Sequence, residues 1–375
     1  MTPVRFSVAT ANGKSAIASV IVFGEDALQI ARQVFRPLNR NVEIGESFDR
    51  VLYGNWIDEG KTGEDLILCP ISPTQFEIHG HGSIAAIEII SQTLVMHGLV
   101  EVTFGEMASH LAGSEYFGDL IRTATLARTA RTASLSMKQP GLHRILWAQV
   151  SEAVANNMPE RAIAMLAEFL RWRVFGLHLT QSYQVVICGK PNVGKSSLVN
   201  AMLGFQRAIV HDVAGTTRDA VKEVTAIAGW PVEVVDTAGI RDSSDAVEQQ
   251  GIAIAHQTLA AADLRLLVVD LHATDSQVVT QQINQHQPHL VIGNKSDLAQ
   301  VCCDQIDLSV SATEKTNLNE LMQLIADRLV PELPAASQPV PVSRYCVQQA
   351  TELSAAIAGG EIELAMQKIA RILGN

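Results

Sequence analysis

Residues 189–197 read Gly189-Lys190-Pro191-Asn192-Val193-Gly194-Lys195-Ser196-Ser197, between an apolar run at 183–188 and an apolar segment at 198–203. Glycine, four residues, glycine, lysine and serine is the P-loop pattern, which requires a strand before it and a helix after it. The two flanking runs predict that strand and that helix. In this setting backbone N–H groups converge on an anion at the positive end of the helix. The stretch therefore predicts a nucleoside triphosphate site, with Lys195 at the β- and γ-phosphates and the Ser196 hydroxyl on Mg²⁺.

Further motifs follow the P-loop in a fixed order: Gly215-Thr216-Thr217-Arg218-Asp219, Asp236-Thr237-Ala238-Gly239, Asn294-Lys295-Ser296-Asp297 and Ser311-Ala312-Thr313. The first of these motifs offers a switch threonine that would reach Mg²⁺ only when the γ-phosphate is present. Asp236 would hold the metal through water, while the Gly239 N–H would sense the γ-phosphate. The Asp297 carboxylate can accept from N1–H and the N2 amine of guanine, a pair of donors that adenine lacks. With Ser311 and Ala312 closing over the guanine O6, the motifs together predict a GTP-hydrolysing domain.

Strand-like and helix-like segments alternate across this region of the chain and predict a doubly wound α/β domain. The predicted strands lie at 183–188, 221–228, 231–236, 264–271, 289–294 and 306–310. The region before them predicts a small α+β domain, with strands at 15–23, 50–57, 65–69 and 75–79 and helices at 27–35 and 83–96. The expected division is an N-terminal α+β domain at 1–104, a first helical segment at 105–181, the G domain at 182–332 and a second helical segment at 333–375. A last helix is predicted at 345–373, interrupted at Gly359-Gly360.

Composition limits the possible classes of protein. The 375 residues are 47% hydrophobic, as expected for a well-packed protein. Their net charge of −11 argues against broad, non-specific coating of nucleic acid. Between Asp119 and Arg173 eight Lys/Arg face four acidic residues, which is compatible with a tRNA-facing surface but favours a solvated helix face. The sequence has no run of eighteen apolar residues and no signal-peptide core, so no membrane span is expected. Its five cysteines lack CxxC spacing, which favours a cytoplasmic location.

The motifs carry a specific family resemblance. Gly-Lys-Pro-Asn-Val-Gly-Lys-Ser, then residues 208–219, then Asp236-Thr-Ala-Gly-Ile-Arg, are similar to the MnmE (TrmE) family of tRNA modification GTPases. Ile240 follows Gly239, so the water-orienting glutamine of Ras-like proteins is absent. The resemblance implies G-domain dimerisation and a K⁺ ion that replaces an arginine finger. It assigns K⁺ to Asn192, the Thr216 side chain and the carbonyls of His211 and Val213, and it assigns Mg²⁺ to Ser196 and Thr217. Glu248 is the implied water-orienting residue, with a solvated capping carboxylate as the alternative.

The N-terminal region resembles the same family more weakly. Residues 9–18 and Gln75-Phe-Glu-Ile-His-Gly-His81-Gly are similar to its folate-binding segments, and Glu77 could contact a pterin or be an outward strand residue. The resemblance implies a tetrahydrofolate donor, a GidA/MnmG-like flavoprotein partner and modification at C5 of the wobble uridine of tRNA. The folate-contacting arginine of the family falls on Ile21, however, and the lysine segment expected after residue 107 is missing. The C-terminal Cys-Ile-Gly-Lys also has no counterpart at 372–375.

These departures leave two main hypotheses for function. The first is an MnmE-type GTPase in wobble-uridine modification with an altered folate site. The second is a regulatory GTPase that has lost the modification and works by nucleotide-dependent binding of a partner. A third, an Era-like ribosome-binding GTPase, ranks last because residues 333–375 show no GxxG-bearing KH pattern.

Overall fold

The computed structural model describes residues 3–10, 15–48, 50–58, 61–205, 223–236, 261–273, 275–298 and 304–375. The chain divides into two compact units, the first formed by Met1–Arg122 with Ile372–Asn375 and the second by Thr123–Arg371. No helix in the described ranges combines the length and the apolar character needed to cross a membrane.

The first unit is built on a seven-stranded sheet. Its strands are β1 (Arg5–Val8), β2 (Ile17–Phe23), β3 (Phe35–Pro37), β4 (Leu52–Asp58), β5 (Lys61–Ser72), β6 (Gln75–His81) and β7 (Val100–Glu101). They lie in the order β3-β4-β5-β6-β2-β1-β7, and the adjacent pairs are antiparallel except for β1 and β7. The helices of this region are α1 (Ala27–Val34), α2 (Ile84–Met96), α3 (Phe104–Ala112) and α4 (Glu115–Ala124).

One face of this sheet carries the hydrophobic core. The largest contributors from the strands are Phe6, Phe35, Trp56 and Phe76, which are fully buried together with residues of α1 and α2. Because strand side chains alternate between faces, Ser19 and Glu77 lie on the opposite face. The strands predicted at 15–23, 50–57, 65–69 and 75–79 correspond to β2, β4, β5 and β6, and α1 and α2 lie where helices are predicted. The short strands β1, β3 and β7 were not predicted, since two to four residues give too little alternation to detect.

The second unit combines helices with a six-stranded sheet. Its first helices are α5 (Ala130–Ala155), α6 (Pro159–Arg171) and α7 (Arg173–Leu177). The strands are β8 (Tyr183–Cys188), β9 (Glu223–Ile227), β10 (Trp230–Asp236), β11 (Leu264–Asp270), β12 (Leu290–Asn294) and β13 (Leu308–Ser309). The remaining described helices are α8 (Lys195–Phe205), α9 (Ser276–His286), α10 (Leu318–Leu329), α11 (Arg344–Ala358) and α12 (Ile362–Leu373). Helix α6 packs against both α5 and α11, and the predicted interruption at Gly359-Gly360 separates α11 from α12.

The topology of the second sheet fixes the position of the P-loop. The strands lie in the order β13-β12-β11-β8-β10-β9, and adjacent strands are parallel except for the antiparallel pair β9 and β10. Strands β11 and β12 are buried almost throughout, as expected for continuous apolar runs in a central parallel sheet. The chain leaves β8 between β10 and β11, where the strand order reverses, and ligands bind at such switch points beyond the carboxyl ends of the strands. This is the P-loop GTPase fold.

Candidate functional site

The P-loop joins β8 to α8 and depends on two glycines. Gly189 has a φ of 142° and Gly194 a φ of 93°, in the region that other residues rarely adopt. A Cβ on Gly189 would lie 2.3 Å from the Val268 carbonyl oxygen, and one on Gly194 would lie 2.3 Å from Asn294 Nδ2. Both positions therefore require glycine, since the loop runs directly against β11 and against the last residue of β12.

Lys195 points back into this loop. Lys195 is only 7% exposed. Its Nζ donates to the carbonyl oxygens of Gly189 at 3.1 Å and Lys190 at 2.9 Å. The ammonium is thus held at the mouth of the loop, where it can neutralise a phosphate. Val193, another predicted site residue, is buried, while Ser197 is exposed on the first turn of α8.

Ser196, a predicted Mg²⁺ ligand, lies in direct contact with Asp236, which is predicted to hold the metal through water. Ser196 is in the first turn of α8 and Asp236 ends β10, and the Ser196 hydroxyl donates to Asp236 Oδ2 at 2.8 Å. The two reach each other because β10 pairs in parallel with β8, which leads into the P-loop. A hydroxyl and a carboxylate at the carboxyl edge of the sheet are oxygen donors of the kind that Mg²⁺ prefers, so these residues fit the ion.

Asn294 links three loops of the predicted guanine site. It ends β12 and is 2% exposed; Nδ2 donates to the Val193 carbonyl at 3.0 Å, while Oδ1 accepts the Ala312 N–H at 3.1 Å. Both ends of the amide are therefore satisfied, as a buried polar group requires. The P-loop, the end of β12 and the segment after β13 are held together by this one side chain.

Asp297 is held by the second predicted guanine-binding segment. The Ser311 hydroxyl donates to Asp297 Oδ1 at 2.6 Å, and it accepts the Glu314 N–H at 3.0 Å. Ser311 is buried, whereas Asp297 is exposed at the surface. The carboxylate is thus oriented by a buried hydroxyl while remaining accessible to a base.

Asp270 is a residue of this site that the sequence motifs did not predict, and it lies against Lys295. Lys295 Nζ donates to the Asn192 carbonyl at 3.0 Å and to Asp270 Oδ2 at 2.6 Å. Burial by itself would raise the pKa of Asp270, but the bond from Lys295, its charge and the backbone N–H groups of His272 and Ala273 lower that pKa below its ordinary value. Asp270 is therefore ionised at neutral pH. Its signal in the sequence was its place at the carboxyl end of a buried strand.

Several predicted site residues lie outside the described residues. They are His211, Val213, Gly215, Thr216, Thr217, Gly239 and Glu248. The described ones among the nucleotide-site predictions come together at the carboxyl edge of the second sheet.

Glu77 belongs to the first unit. Its Oε2 lies 3.3 Å from His79 Nε2, and His79 Nδ1 lies 2.8 Å from the Ser19 hydroxyl oxygen. In the sheet register Ile21 of β2 and Cys69 of β5 stand opposite Glu77. Burial, followed by the charge of Glu77, raises the pKa of the Cys69 thiol, so this thiol is not activated as a nucleophile.

Known proteins resemble this chain at two levels, the G domain and most of its length. A family model described as a 50S ribosome-binding GTPase matches residues 184–295. Proteins named tRNA modification GTPase MnmE from Synechococcus sp. (strain WH7803) and Lactococcus lactis subsp. lactis (strain IL1403) are each 32% identical, over 372 and 367 residues. These matches cover 86% and 85% of this chain, and 80% and 79% of those proteins. The chain belongs to the MnmE family.

A third MnmE relative, from Prochlorococcus marinus (strain MIT 9303), is 33% identical over 341 residues, with 78% of this chain and 71% of that protein covered. Among solved structures, Aquifex aeolicus Era bound to GDP·AlF4⁻ matches 40% of this chain and 58% of that chain, at 30% identity and a TM-score of 0.31. This MnmE-family chain binds guanine nucleotide and is a GTP-hydrolysing enzyme, as its G motifs predicted.

Proposed function

We propose that this GTPase acts in the modification of C5 of the wobble uridine of tRNA. The observation that carries the proposal is the similarity to relatives named tRNA modification GTPase MnmE, which extends well beyond the G domain. The purely regulatory alternative has no such support, because those relatives match across most of their own length. The proposed organisation is the α+β domain at 1–104, with the G domain at 182–332 inserted between helical segments at 105–181 and 333–375. The packing of α6 against α11 supports that insertion.

The described residues suggest how the substrate is held. Lys195 would leave the Gly189 and Lys190 carbonyls for the β- and γ-phosphates of GTP, and Asp297 would accept from guanine N1–H and the N2 amine. Ser196 and Thr217 would hold Mg²⁺ directly and Asp236 would hold it through water; when bound, the ion supplies charge neutralisation at the phosphates. Asn294 and Ser311 orient the base-binding segments.

Potassium is proposed as the second cation. Asn192 is exposed in the P-loop with a left-handed φ of 64°, and its amide oxygen is a suitable ligand for a hard monovalent ion. Thr216 and the carbonyls of His211 and Val213 would complete the set. GTPase rates in KCl and NaCl test this. We expect K⁺ to be faster by about tenfold or more, by analogy with an arginine finger, and Asn192→Ala to lose the difference while exposed Asn200→Ala keeps it. Equal rates in both salts would overturn the K⁺ assignment.

Glu248 is proposed to orient the attacking water. We expect Glu248→Gln to lower the single-turnover rate about 100-fold while GTP affinity is kept. An unchanged rate would remove Glu248 from the mechanism. Hydrolysis is proposed to require a G-domain dimer, so sedimentation in K⁺ with GDP and aluminium fluoride should show an assembly that is absent with GDP alone.

The positions opposite Glu77 do not fit a bound folate. The position where the family resemblance expects an arginine is Ile21, directly opposite Glu77 in the register. On the other side stands Cys69. At the two register positions opposite Glu77, an apolar side chain and a thiol offer no positive charge to the carboxylates of a folate, so no step through a folate is derived. Titration of the protein with 5-formyltetrahydrofolate by calorimetry should show no saturable heat, and micromolar binding would reverse this conclusion.

The proposed tRNA role is tested by nucleoside analysis. tRNA from cells that lack the chain, in a host without another MnmE, should lose the C5-modified wobble uridine. Wild-type protein should restore it, and Lys195→Ala should not. A GidA/MnmG-like flavoprotein is the proposed partner, so co-purification with it is a second readout. An unchanged nucleoside profile after deletion would refute the tRNA role while leaving the GTPase activity intact.

A further inference from the structure

Asp270 uses both oxygens of its carboxylate at the end of β11. Oδ2 accepts from Lys295 Nζ at 2.6 Å, and Oδ1 accepts the His272 N–H at 2.9 Å. The Asp270 side chain is 11% exposed and that of Lys295 is 33% exposed. The ion pair is therefore partly shielded from water, where charge interactions are stronger than between fully exposed groups.

Two consecutive carbonyls of the P-loop are held by two consecutive residues after β12. Lys295 Nζ donates to the Asn192 carbonyl and Asn294 Nδ2 donates to the Val193 carbonyl, both at 3.0 Å. In a planar trans peptide the carbonyl of one residue and the N–H of the next point in opposite directions. The bond from Lys295 to the Asn192 carbonyl therefore directs the Val193 N–H away from Lys295. In the same way, the bond from Asn294 to the Val193 carbonyl directs the Gly194 N–H away from Asn294. These are N–H groups of the loop that cradles phosphate.

We propose that Asp270 is a positioning residue for the phosphate site. It holds the Lys295 ammonium on the Asn192 carbonyl and so fixes the direction of the Val193 N–H. A lysine has four flexible carbons and three rotatable donors, so without Asp270 the half-buried ammonium turns to water and the peptide between Asn192 and Val193 is free to rotate. The proposal rests on the assignment of Asn294–Asp297 as the guanine-binding motif.

Asp270→Asn is the most direct perturbation. It preserves size and shape but replaces one of the two acceptor oxygens by an NH₂ group, so the His272 N–H and Lys295 no longer each have an oxygen of their own. Lys295→Met removes the ammonium and keeps the length of the side chain. Asp270→Ser is a second variant, in which the hydroxyl can still accept the His272 N–H but no charge holds Lys295.

A matched control comes from the other end of β12. Asp307 Oδ2 accepts the Val291 N–H at 2.7 Å, near the amino end of that strand. Asp307→Asn removes the same charge from the same sheet and retains an acceptor for its single donor. It is expected to leave nucleotide affinity unchanged.

The test is a double-mutant cycle on nucleotide affinity in the full chain. A fluorescent GDP is titrated with Mg²⁺ into wild type, Asp270→Asn, Lys295→Met and the double variant, with melting temperatures measured alongside. We expect Asp270→Asn to weaken GDP binding about tenfold, as for the loss of one charge-assisted hydrogen bond. In the Lys295→Met background the same change should have no further effect, because Asp270 acts through Lys295. Asp270→Ser should behave like Asp270→Asn.

A second readout separates positioning of the P-loop from a general loss of structure. Guanosine carries no phosphate, so its affinity, measured by competition, should change less than twofold in Asp270→Asn. If both Asp270 variants bind GDP with wild-type affinity while Lys295→Met binds it more weakly, the proposed role of Asp270 is wrong and the assignment of the guanine motif stands. Additive effects in the double variant, or equal losses for guanosine and GDP, would also overturn it. Unchanged GDP binding in Lys295→Met would instead refute the assignment of the guanine motif.

Discussion

His143 makes the stability of the second unit depend on pH. It lies on α5, fully buried against Phe169, which also packs on Trp147, and its Nε2 is 2.9 Å from the Val340 carbonyl oxygen. Gln139, one turn earlier, accepts the Val340 N–H at 2.9 Å. Burial lowers the pKa of His143 from 6.5 to about 4, against a smaller raising effect of the bond to Val340.

The sign and the size of the effect follow from that shift. The unfolded chain takes up a proton below pH 6.5 while the folded chain stays neutral down to about pH 4, so stability is full above pH 6.5 and is lost as pH falls towards 4. The 1.5 pKa units between 6.5 and pH 5 correspond to about 2 kcal/mol of unfolding free energy, at about 1.36 kcal/mol per unit.

Urea unfolding at pH 7 and pH 5, followed by tryptophan fluorescence, measures this difference. Wild type should lose about 2 kcal/mol more than His143→Gln over that interval, because glutamine cannot titrate. His272→Gln, at an exposed histidine, should retain the wild-type pH dependence. Equal pH dependence in wild type and His143→Gln, or an NMR titration of His143 with a midpoint near 6.5, would refute the reasoning.

Three further predictions concern the G domain. Gly194→Ala should weaken GTP binding at least about tenfold, because the new Cβ would lie 2.3 Å from Asn294 Nδ2 and because φ at this position is 93°. Gly204→Ala is the control, since Gly204 has open space around it, and it should bind GTP normally. Equal GTP affinities of the two variants in a titration would contradict the prediction. Asp297→Asn should lower GTP affinity about 100-fold or more through two lost charge-assisted bonds and should prefer xanthosine triphosphate in competition, and an unchanged base preference would remove Asp297 from the base site. Arg131→Ala should lower the unfolding free energy of the second unit by about 1–2 kcal/mol, because Arg131 donates to the Ala228 carbonyl and stacks 4.2 Å from the ring centre of Trp230. In the same urea assay, Arg173→Ala at an exposed arginine should leave the unfolding free energy within about 0.5 kcal/mol of wild type.

The sequence alone determined the features of the molecule that depend on short stretches of chain. The strand Tyr183–Cys188, the glycine loop and the helix that begins at Lys195 are all visible in sequence, since alternating or continuous apolar runs and special backbone positions are local signals. The motifs around Asp236 and Asn294 were also predictable, because they end buried strands. The short strands escaped detection, since two to four residues carry no measurable period.

Only the tertiary structure decided which distant residues meet. Asp270 and Lys295 are 25 positions apart and become partners because β11 and β12 are adjacent and in register. His143 and Val340 are 197 positions apart and meet through helix packing. Strand order and helix packing arise from the summed burial of the whole unit, not from any one segment, so the residues that tune the nucleotide site and its stability are not encoded in a local pattern.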